Sequence, residues 1–345
     1  RNVQIPDVMF PYSVRSIPPD SLTKNCAHRS AVPSHLQDRY DAVPVAGIAM
    51  DPTIHTGIAL MPNMYFGNLQ VWDRYTKELL GKLNTPWNKR KKRVFWRGKI
   101  DKNLYHNAAR LEALQAAARD LQSSNGKNRN FDVRLTSGCG YLKNFAKNVT
   151  RTSPLAPNWL PRDYFIKVTE CGGYTRTPHA KFPNYWAQLN LPGSSLGSYS
   201  KNLQNLWPMG AAVMIWNQSA VEFYYDSLKS GVTHVWVNET NIEATATKLF
   251  ENDGKLARLY GNVGREWFQQ HLTADAILDY YQEWFHAWAA LQRFVPSKDV
   301  LLKPCTCSGW VDADGESVGG VKRCQHCTEF PCPVQEGCLE MMGIK

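Results

Sequence analysis

The amino-acid sequence predicts an α/β fold built on a parallel sheet, and two observations support that class. The 345 residues are 43% hydrophobic and 20% charged, values typical of a folded globular protein. From Val94 onward, short apolar segments alternate with longer segments whose apolar residues recur at helical spacing. Strands and helices that alternate in this way form a parallel sheet whose ligand site lies at the carboxyl ends of the strands.

The predicted elements begin after about 90 irregular, proline-rich residues. In the basic run Lys89–Arg93 we expect a solvated loop that ends a linker. The predicted strands are Val94–Trp96, Phe131–Leu135, Tyr164–Val168, Tyr185–Leu191, Ala211–Trp216 and His234–Val237. The predicted helices cover 104–121, a short segment before Gly210, 220–228, 241–252, 254–271 and 274–293.

The net charge of +10 is compatible with nucleic acid, an anionic membrane surface or a phosphorylated small ligand. No helix-turn-helix, zinc-finger or RNA-binding motif accompanies the basic run, so nucleic acid is not an expected partner. No run of about 18 apolar residues is present, so membrane attachment is expected only through a segment outside this chain.

The cellular compartment of the protein is predicted from its glycosylation sequons and its cysteines. Three glycosylation sequons begin at Asn148, Asn217 and Asn238. No signal peptide or initiator methionine is visible, so we expect a processed piece of a longer protein. The sequons favour the lumen of the endoplasmic reticulum or Golgi, or a secreted or cell-surface location.

The last part of the chain, 301–345, is rich in cysteine. Six of the nine cysteines stand at positions 305, 307, 324, 327, 332 and 338. An even number in a short tail predicts a disulfide-stapled module. Zinc is the alternative, because Cys305-x-Cys307 and Cys324-x-x-Cys327 offer four thiolates.

Two stretches are suited to binding an anion. Arg97-Gly98-Lys99 follows a strand, and its arginine offers a bidentate fork to phosphate, although an arginine in a tight turn is equally compatible. The Gly/Ser loop from Gly193 to Ser200 enters a predicted helix at Lys201, where free N–H groups favour an anion; an ordinary flexible connection is the alternative. Glu222 is placed to accept hydrogen bonds from ribose hydroxyls, or else to act as a charge at a helix N-terminus.

Four blocks of sequence resemble glycosyltransferase family 90, which includes the Rumi-type protein O-glucosyltransferases and fungal capsule-associated xylosyltransferases. The longest block is Glu222-Phe-Tyr-Tyr through Val237, and the similarity continues to Leu291. The other blocks are Val94-Phe-Trp-Arg-Gly98, Tyr199-Ser-Lys-Asn through Gly210, and Ile5-Pro-Asp-Val-Met-Phe10. Their order and spacing, over roughly residues 5–292, carry the resemblance.

The resemblance implies a GT-B-like fold of two Rossmann-like halves facing a cleft, with 1–90 as a partial first half and 91–300 as the nucleotide-sugar half. It implies inverting transfer of glucose or xylose from a UDP-sugar to a hydroxyl of a protein or glycan, without a cofactor or an obligatory metal. Together with Gly193 of the Gly/Ser loop, the residues predicted at the nucleotide sugar are those that the resemblance places there: Arg97, Gly98, Lys99, Arg110, Ser200, Lys201, Asn202, Glu222 and Phe223.

Lys99 stands where the family usually has serine. Two departures from the family pattern affect the predicted activity, and the first is Asn202, which stands where the family usually has arginine. The family's general base is an aspartate upstream of the Ile5–Phe10 block, and none of Asp7, Asp20 or Asp51 matches it, so no catalytic residue is assigned. The alternative to a transferase is therefore an inactive relative that binds glycan or protein.

Overall fold

A computed structural model describes residues 12–13, 45–50, 52, 58–63, 66, 68–81, 83–100, 107–124, 130–141, 178–193 and 202–291. The predicted strand Tyr164–Val168, the Ile5–Phe10 block, Asn148 and the cysteine-rich tail lie outside these residues. The chain divides into two compact units, Arg1–Met61 with Leu278–Lys345 and Pro62–Ile277. The sequence places the first boundary later, at residue 90.

Within the described residues the strands are β1 Tyr12–Ser13, β2 Val45–Gly47, β3 Ile58–Leu60, β4 Lys91–Lys99, β5 Phe131–Ser137, β6 Tyr185–Asn190, β7 Ala212–Trp216 and β8 Val235–Val237. The helices are α1 Leu69–Leu80, α2 Ala108–Ser123, α3 Ile242–Phe250, α4 Lys255–His271 and α5 Ala274–Leu291. No helix in these ranges is long and apolar enough to cross a bilayer.

The first unit contains a parallel sheet in the order β1-β2-β3. Ala46 and Met61 pack with Trp284 and Trp288 of α5 in one apolar cluster. The Tyr280 hydroxyl of the same helix donates a 2.7 Å hydrogen bond to the Leu60 carbonyl at the end of β3. The aromatic residues that recur along α5 thus cover the described strands of this unit.

The second unit is built on a five-stranded parallel sheet in the order β5-β4-β6-β7-β8. Helix α2, rich in alanine and leucine, buries Leu111, Leu114 and Leu121 against it, and α3 joins the same core through Leu249 and Phe250. The central residues of β4 and all residues of β6 and β7 are buried, which is the pattern of strands covered on both faces, whereas β5 alternates buried and half-buried residues. The predicted α/β class with a parallel sheet is confirmed.

The basic run is not a loop, because Lys91, Lys92 and Arg93 form the start of β4. The Lys91 ammonium lies 5.2 Å from the centroid of the Tyr185 ring, and that of Lys92 lies 5.8 Å from the Trp186 ring. Both lysines keep their charges exposed while aromatic residues of the neighbouring strand cover their stems. Strand β4 therefore extends further toward its amino end than its apolar residues indicate.

Two helix predictions also need correction. Helix α1 lies in the part predicted to be irregular; Asn68 caps it by accepting hydrogen bonds from the N–H groups of Gln70 and Val71. It is fixed by Trp72, whose indole N–H donates to the Leu272 carbonyl over 2.7 Å. The helix predicted over 220–228 is instead a single 3-10 turn, Tyr225–Ser227, because the preceding Glu222 is buried in a side-chain network rather than exposed at a helix start.

Candidate nucleotide-sugar site

Among the described strands of the second unit, the strand order reverses at β4. Strand β4 comes first in the chain and lies between β5 and β6. Its pairing with β6 ends at Phe95 and Gln188, while its pairing with β5 continues to Lys99. Beyond Gln188, β7 is the one described strand with which β6 remains paired. The carboxyl ends of β4 and β6 therefore separate, and such a crevice is where open parallel sheets bind their ligands.

Arg97, predicted to bind the diphosphate, lies on β4 with its side chain 9% exposed and has a carboxylate partner. Its Nη2 lies 2.7 Å from Oδ1 of Asp132 on β5, and its Nη1 donates to the Asp132 carbonyl over 2.5 Å. Burial opposes ionisation of Asp132, but the charge of Arg97 and the hydrogen bonds from Tyr185 and Arg97 keep the pKa of this carboxyl below its usual value. The Arg97 guanidinium thus contributes to joining β4 to β5.

Gly98 and Lys99 end the strand, so the predicted turn is extended backbone here. A Cβ on Gly98 would overlap the Trp96 indole, which folds back over this position. Glycine is therefore required for the packing of Trp96. Lys99 is exposed, so its ammonium is available to an anion at the crevice.

Arg110, on the first turn of α2, connects the two separated strand ends. Its Nε and Nη2 donate to the Pro192 carbonyl over 3.1 and 2.7 Å, and its Nη1 donates to the Lys99 carbonyl. Only 9% of the residue is exposed. Pro192 and Gly193 follow β6, so the structure brings together Gly98, Lys99, Arg110 and Gly193 of the predicted set. Arg110 contacts backbone carbonyls that would otherwise present negative dipoles to a phosphate.

The predicted helix at Lys201 has no counterpart in the described residues that follow it. Ser200 and Lys201 lie outside those residues, and Asn202 precedes two three-residue 3-10 turns, Leu203–Asn205 and Trp207–Met209. Pro208 and the left-handed Gly210, with φ 62°, end this segment before a regular helix is established. Asn202 Oδ1 accepts a 3.4 Å hydrogen bond from Asn205 Nδ2.

Glu222 follows β7 and is 1% exposed. Its Oε2 accepts a 2.7 Å hydrogen bond from Asn63 Nδ2, and its Oε1 accepts one of 3.0 Å from the Tyr224 hydroxyl. Burial raises the pKa of Glu222 to about 8, against the opposing effect of these two donors. The hydrogen bonds expected from ribose hydroxyls are thus donated here by Asn63 and Tyr224. Phe223 is half-buried, with its ring centroid 5.8 Å from that of Phe66.

Two of the three sequons fall on described residues, and both follow strands of the second sheet. Asn217 is exposed after β7, and Asn238 is half-buried after β8. Asn238 Oδ1 accepts hydrogen bonds from the backbone N–H and the hydroxyl of Thr240, over 2.9 and 2.7 Å. The described residues contain no cluster of three or more metal-ligating side chains.

Sequence reasoning missed three polar residues that the geometry brings forward. Asp132 lies in a strand with the alternating pattern of an ordinary sheet, and Asn63 lies in the part predicted to be irregular. Asn190, the last residue of β6, is 2% exposed at the separation of the strands. A polar residue at the carboxyl end of an apolar strand was the available signal for Asn190.

The sequence model of glycosyl transferase family 90 matches residues 52–308. The chain belongs to glycosyl transferase family 90. The resemblance identified from the sequence blocks is thereby confirmed. A family-90 chain with a parallel sheet in each of two units has the two α/β halves that a GT-B-like fold requires. No curated protein sequence matches this family-90 chain significantly.

Several solved structures are similar to this family-90 chain at low identity. TarM is 15% identical, with a TM-score of 0.35, and the match covers 59% of this chain and 36% of TarM. A glycosyltransferase from Rickettsia africae ESF-5 is 13% identical, with a TM-score of 0.41, over 75% of this chain and 68% of that one. An α,α-trehalose-phosphate synthase (UDP-forming) from Burkholderia vietnamiensis is 11% identical, with a TM-score of 0.35, over 66% and 48%. The chain thus spans about a third of the length of TarM, and these low scores carry no assignment of activity.

Proposed function

We propose that this family-90 chain is an inverting glycosyltransferase that moves glucose or xylose from a UDP-sugar to a hydroxyl of a protein or glycan acceptor. The proposal places the donor diphosphate at the carboxyl ends of β4 and β6 in the second unit. It places the chain in the lumen of the secretory pathway or at the cell surface. It also holds that no metal is required.

The observation that carries the proposal is the separation of β4 from β6 in a chain of this family. The two strand ends diverge after Phe95 and Gln188, and Arg110 holds both of them by their carbonyl groups. Because Arg110 covers those carbonyls with positive charge, the crevice loses the negative dipoles that would repel a diphosphate. The exposed Lys99 adds a second cation at the same end of β4.

The chemistry requires that the acceptor oxygen attack the anomeric carbon while the bond to UDP breaks and the acceptor proton passes to a carboxylate base. The leaving UDP gains negative charge in this step, so cations and N–H donors at the diphosphate stabilise the transition state more than the ground state. The exposed Lys99 at the end of β4 is suited to that task. No described residue is assigned as the base.

An oxidising compartment is supported by a cysteine of the second unit. Cys139, which follows β5, is disulfide-bonded. Disulfides persist in secretory compartments and are rare in the cytosol. The solvent-accessible sequon at Asn217 is compatible with glycosylation in the same compartments.

The proposal is tested by incubating the chain separately with UDP-glucose and UDP-xylose, with and without EDTA, and measuring released UDP. We expect one donor to be hydrolysed or transferred faster than the other, at a rate that EDTA does not change. Complete loss of turnover in EDTA would contradict the metal-free mechanism. Binding of glycan without any UDP binding would instead support the inactive relative, whose motivation is Asn202 at the position where the family usually has arginine.

A further inference from the structure

The last residue of β6, Asn190, carries a buried side-chain amide whose N–H group lacks a hydrogen-bond acceptor among the described residues. Only 2% of the residue is exposed. Among the residues that the structure describes, no group accepts a hydrogen bond from its Nδ2. A buried donor without an acceptor costs free energy relative to an apolar side chain of the same shape. Packing alone therefore gives no reason for an asparagine at this position.

The location of Asn190 supplies a reason. Gln188 is the last residue of β6 that pairs with β4, and Asn190 lies two residues further, where β7 is the described strand that still pairs with β6. Residues two apart in a strand share a face of the sheet. Asn190 therefore lies on the same face as Gln188, and Arg97 lies on the same face as Phe95, the residue of β4 that pairs with Gln188. Asn190 is therefore placed at the end of β6 beyond its pairing with β4, two residues before Pro192, whose carbonyl is held by Arg110.

We infer that Asn190 is a further ligand-binding residue, whose side-chain amide donates a hydrogen bond to an oxygen of the bound nucleotide diphosphate. The inference rests on the proposed function, because it assigns to Asn190 a role at the same donor site. The bound diphosphate supplies the acceptor that the protein itself does not supply. The energetic deficit of the free protein is thus recovered on binding.

A second buried polar group provides a matched control. His234 is 1% exposed and stands immediately before β8, at the amino end of the sheet and away from the strand ends that form the crevice. Its Nδ1 lies 3.0 Å from the Thr233 hydroxyl, and its Nε2 has no partner among the described residues. Replacing either residue by an apolar one removes an unsatisfied buried atom, but only Asn190 is placed to contact the ligand.

The experiment measures UDP affinity by calorimetry and thermal stability for wild type, Asn190→Leu and His234→Phe. We expect Asn190→Leu to raise the melting temperature by about 2–4 °C. We expect the same variant to weaken UDP binding roughly 10- to 100-fold. His234→Phe is expected to keep the wild-type affinity. Wild-type affinity in Asn190→Leu would overturn the inference, since a merely structural asparagine predicts that result.

Asn190→Asp keeps the shape of the side chain and gives an independent result if the leucine variant does not fold. Its carboxylate repels a diphosphate, so UDP affinity is expected to fall at least as far as in Asn190→Leu. An unchanged or higher affinity in Asn190→Asp would overturn the inference. If the wild-type chain itself binds no UDP, the proposed function fails, and the inference fails with it. Wild-type binding with insensitive Asn190 variants overturns the inference alone.

Discussion

Replacing Arg110 by methionine removes the connection between the ends of β4 and β6 while keeping a long, flexible side chain. The guanidinium donates through Nε and Nη2 to the Pro192 carbonyl and through Nη1 to the Lys99 carbonyl. Methionine fills much of the same volume but offers no donor. The substitution therefore tests whether these charged hydrogen bonds hold the crevice in a form that accepts a diphosphate.

The expected loss in the free energy of unfolding follows from the two carbonyl groups that Arg110 contacts. A hydrogen bond from a charged donor contributes about 1.5–3 kcal/mol, so two carbonyls that stayed buried would cost about 3–6 kcal/mol. Lys99 is exposed at the strand end, so its carbonyl is accessible to water after the substitution. Pro192 is buried, and its carbonyl bears most of the cost. We therefore expect Arg110→Met to lower the free energy of unfolding by about 2–3 kcal/mol.

The assay is urea unfolding followed by tryptophan fluorescence, with UDP calorimetry under conditions where the variant remains folded. Arg110→Lys is the matched control: it retains the charge but has no planar fork, so about half of the stability loss is expected. UDP affinity should fall in the order wild type, Arg110→Lys, Arg110→Met. If Arg110→Met unfolds at the wild-type urea concentration and binds UDP as tightly, the proposed role of Arg110 is refuted.

Three further substitutions probe the same unit. The pKa of Glu222 in the folded protein is about 8, against an ordinary value of 4.5. Its contribution to stability is therefore fully present below pH 4.5 and is lost as the pH rises toward 8. Glu222→Gln should remove this pH dependence, which is measured as the melting temperature between pH 5 and 8.5. Asp132→Asn removes the carboxylate partner of the Arg97 charge and should lower the free energy of unfolding in urea by about 3–5 kcal/mol. A loss under about 1 kcal/mol would contradict the buried ion pair. Gly98→Ala forces Trp96 to move and should cost about 1–3 kcal/mol, with a changed near-ultraviolet circular dichroism spectrum; an unchanged spectrum and stability would show that Trp96 does not need the glycine.

The sequence predicts those parts of the fold that depend on local periodicity. The strands at 131–135, 185–191 and 211–216 and the helices at 241–252, 254–271 and 274–293 agree with β5, β6, β7, α3, α4 and α5 within a few residues. Helix α1 was missed because its stability comes from tertiary contacts, such as the indole bond of Trp72 to Leu272, that periodicity does not show. The helix predicted near Glu222 was wrong for the same reason, since the burial of that carboxylate is a property of the folded unit.

The parts of the candidate site that follow from local sequence were likewise predictable, and the parts that depend on the folded unit were not. The strand ends that carry Lys99 and Gly193 were predictable, because parallel strands place their carboxyl ends at one edge. The contacts of Arg97 and Arg110 were not, since the partners Asp132 and Pro192 are distant in sequence. The unsatisfied amide of Asn190 depends on what surrounds it, so only the structure reveals it.

The carboxyl ends of β4 and β6 are proposed to bind the diphosphate of the donor, and hydrogen–deuterium exchange with and without saturating UDP tests this binding most directly. We expect UDP to slow exchange in peptides covering 97–100 and 190–193, while peptides covering the amino ends of β7 and β8 are unchanged. Bound UDP with no protection in the peptides 97–100 and 190–193, or no UDP binding at all, would contradict a diphosphate site at these strand ends.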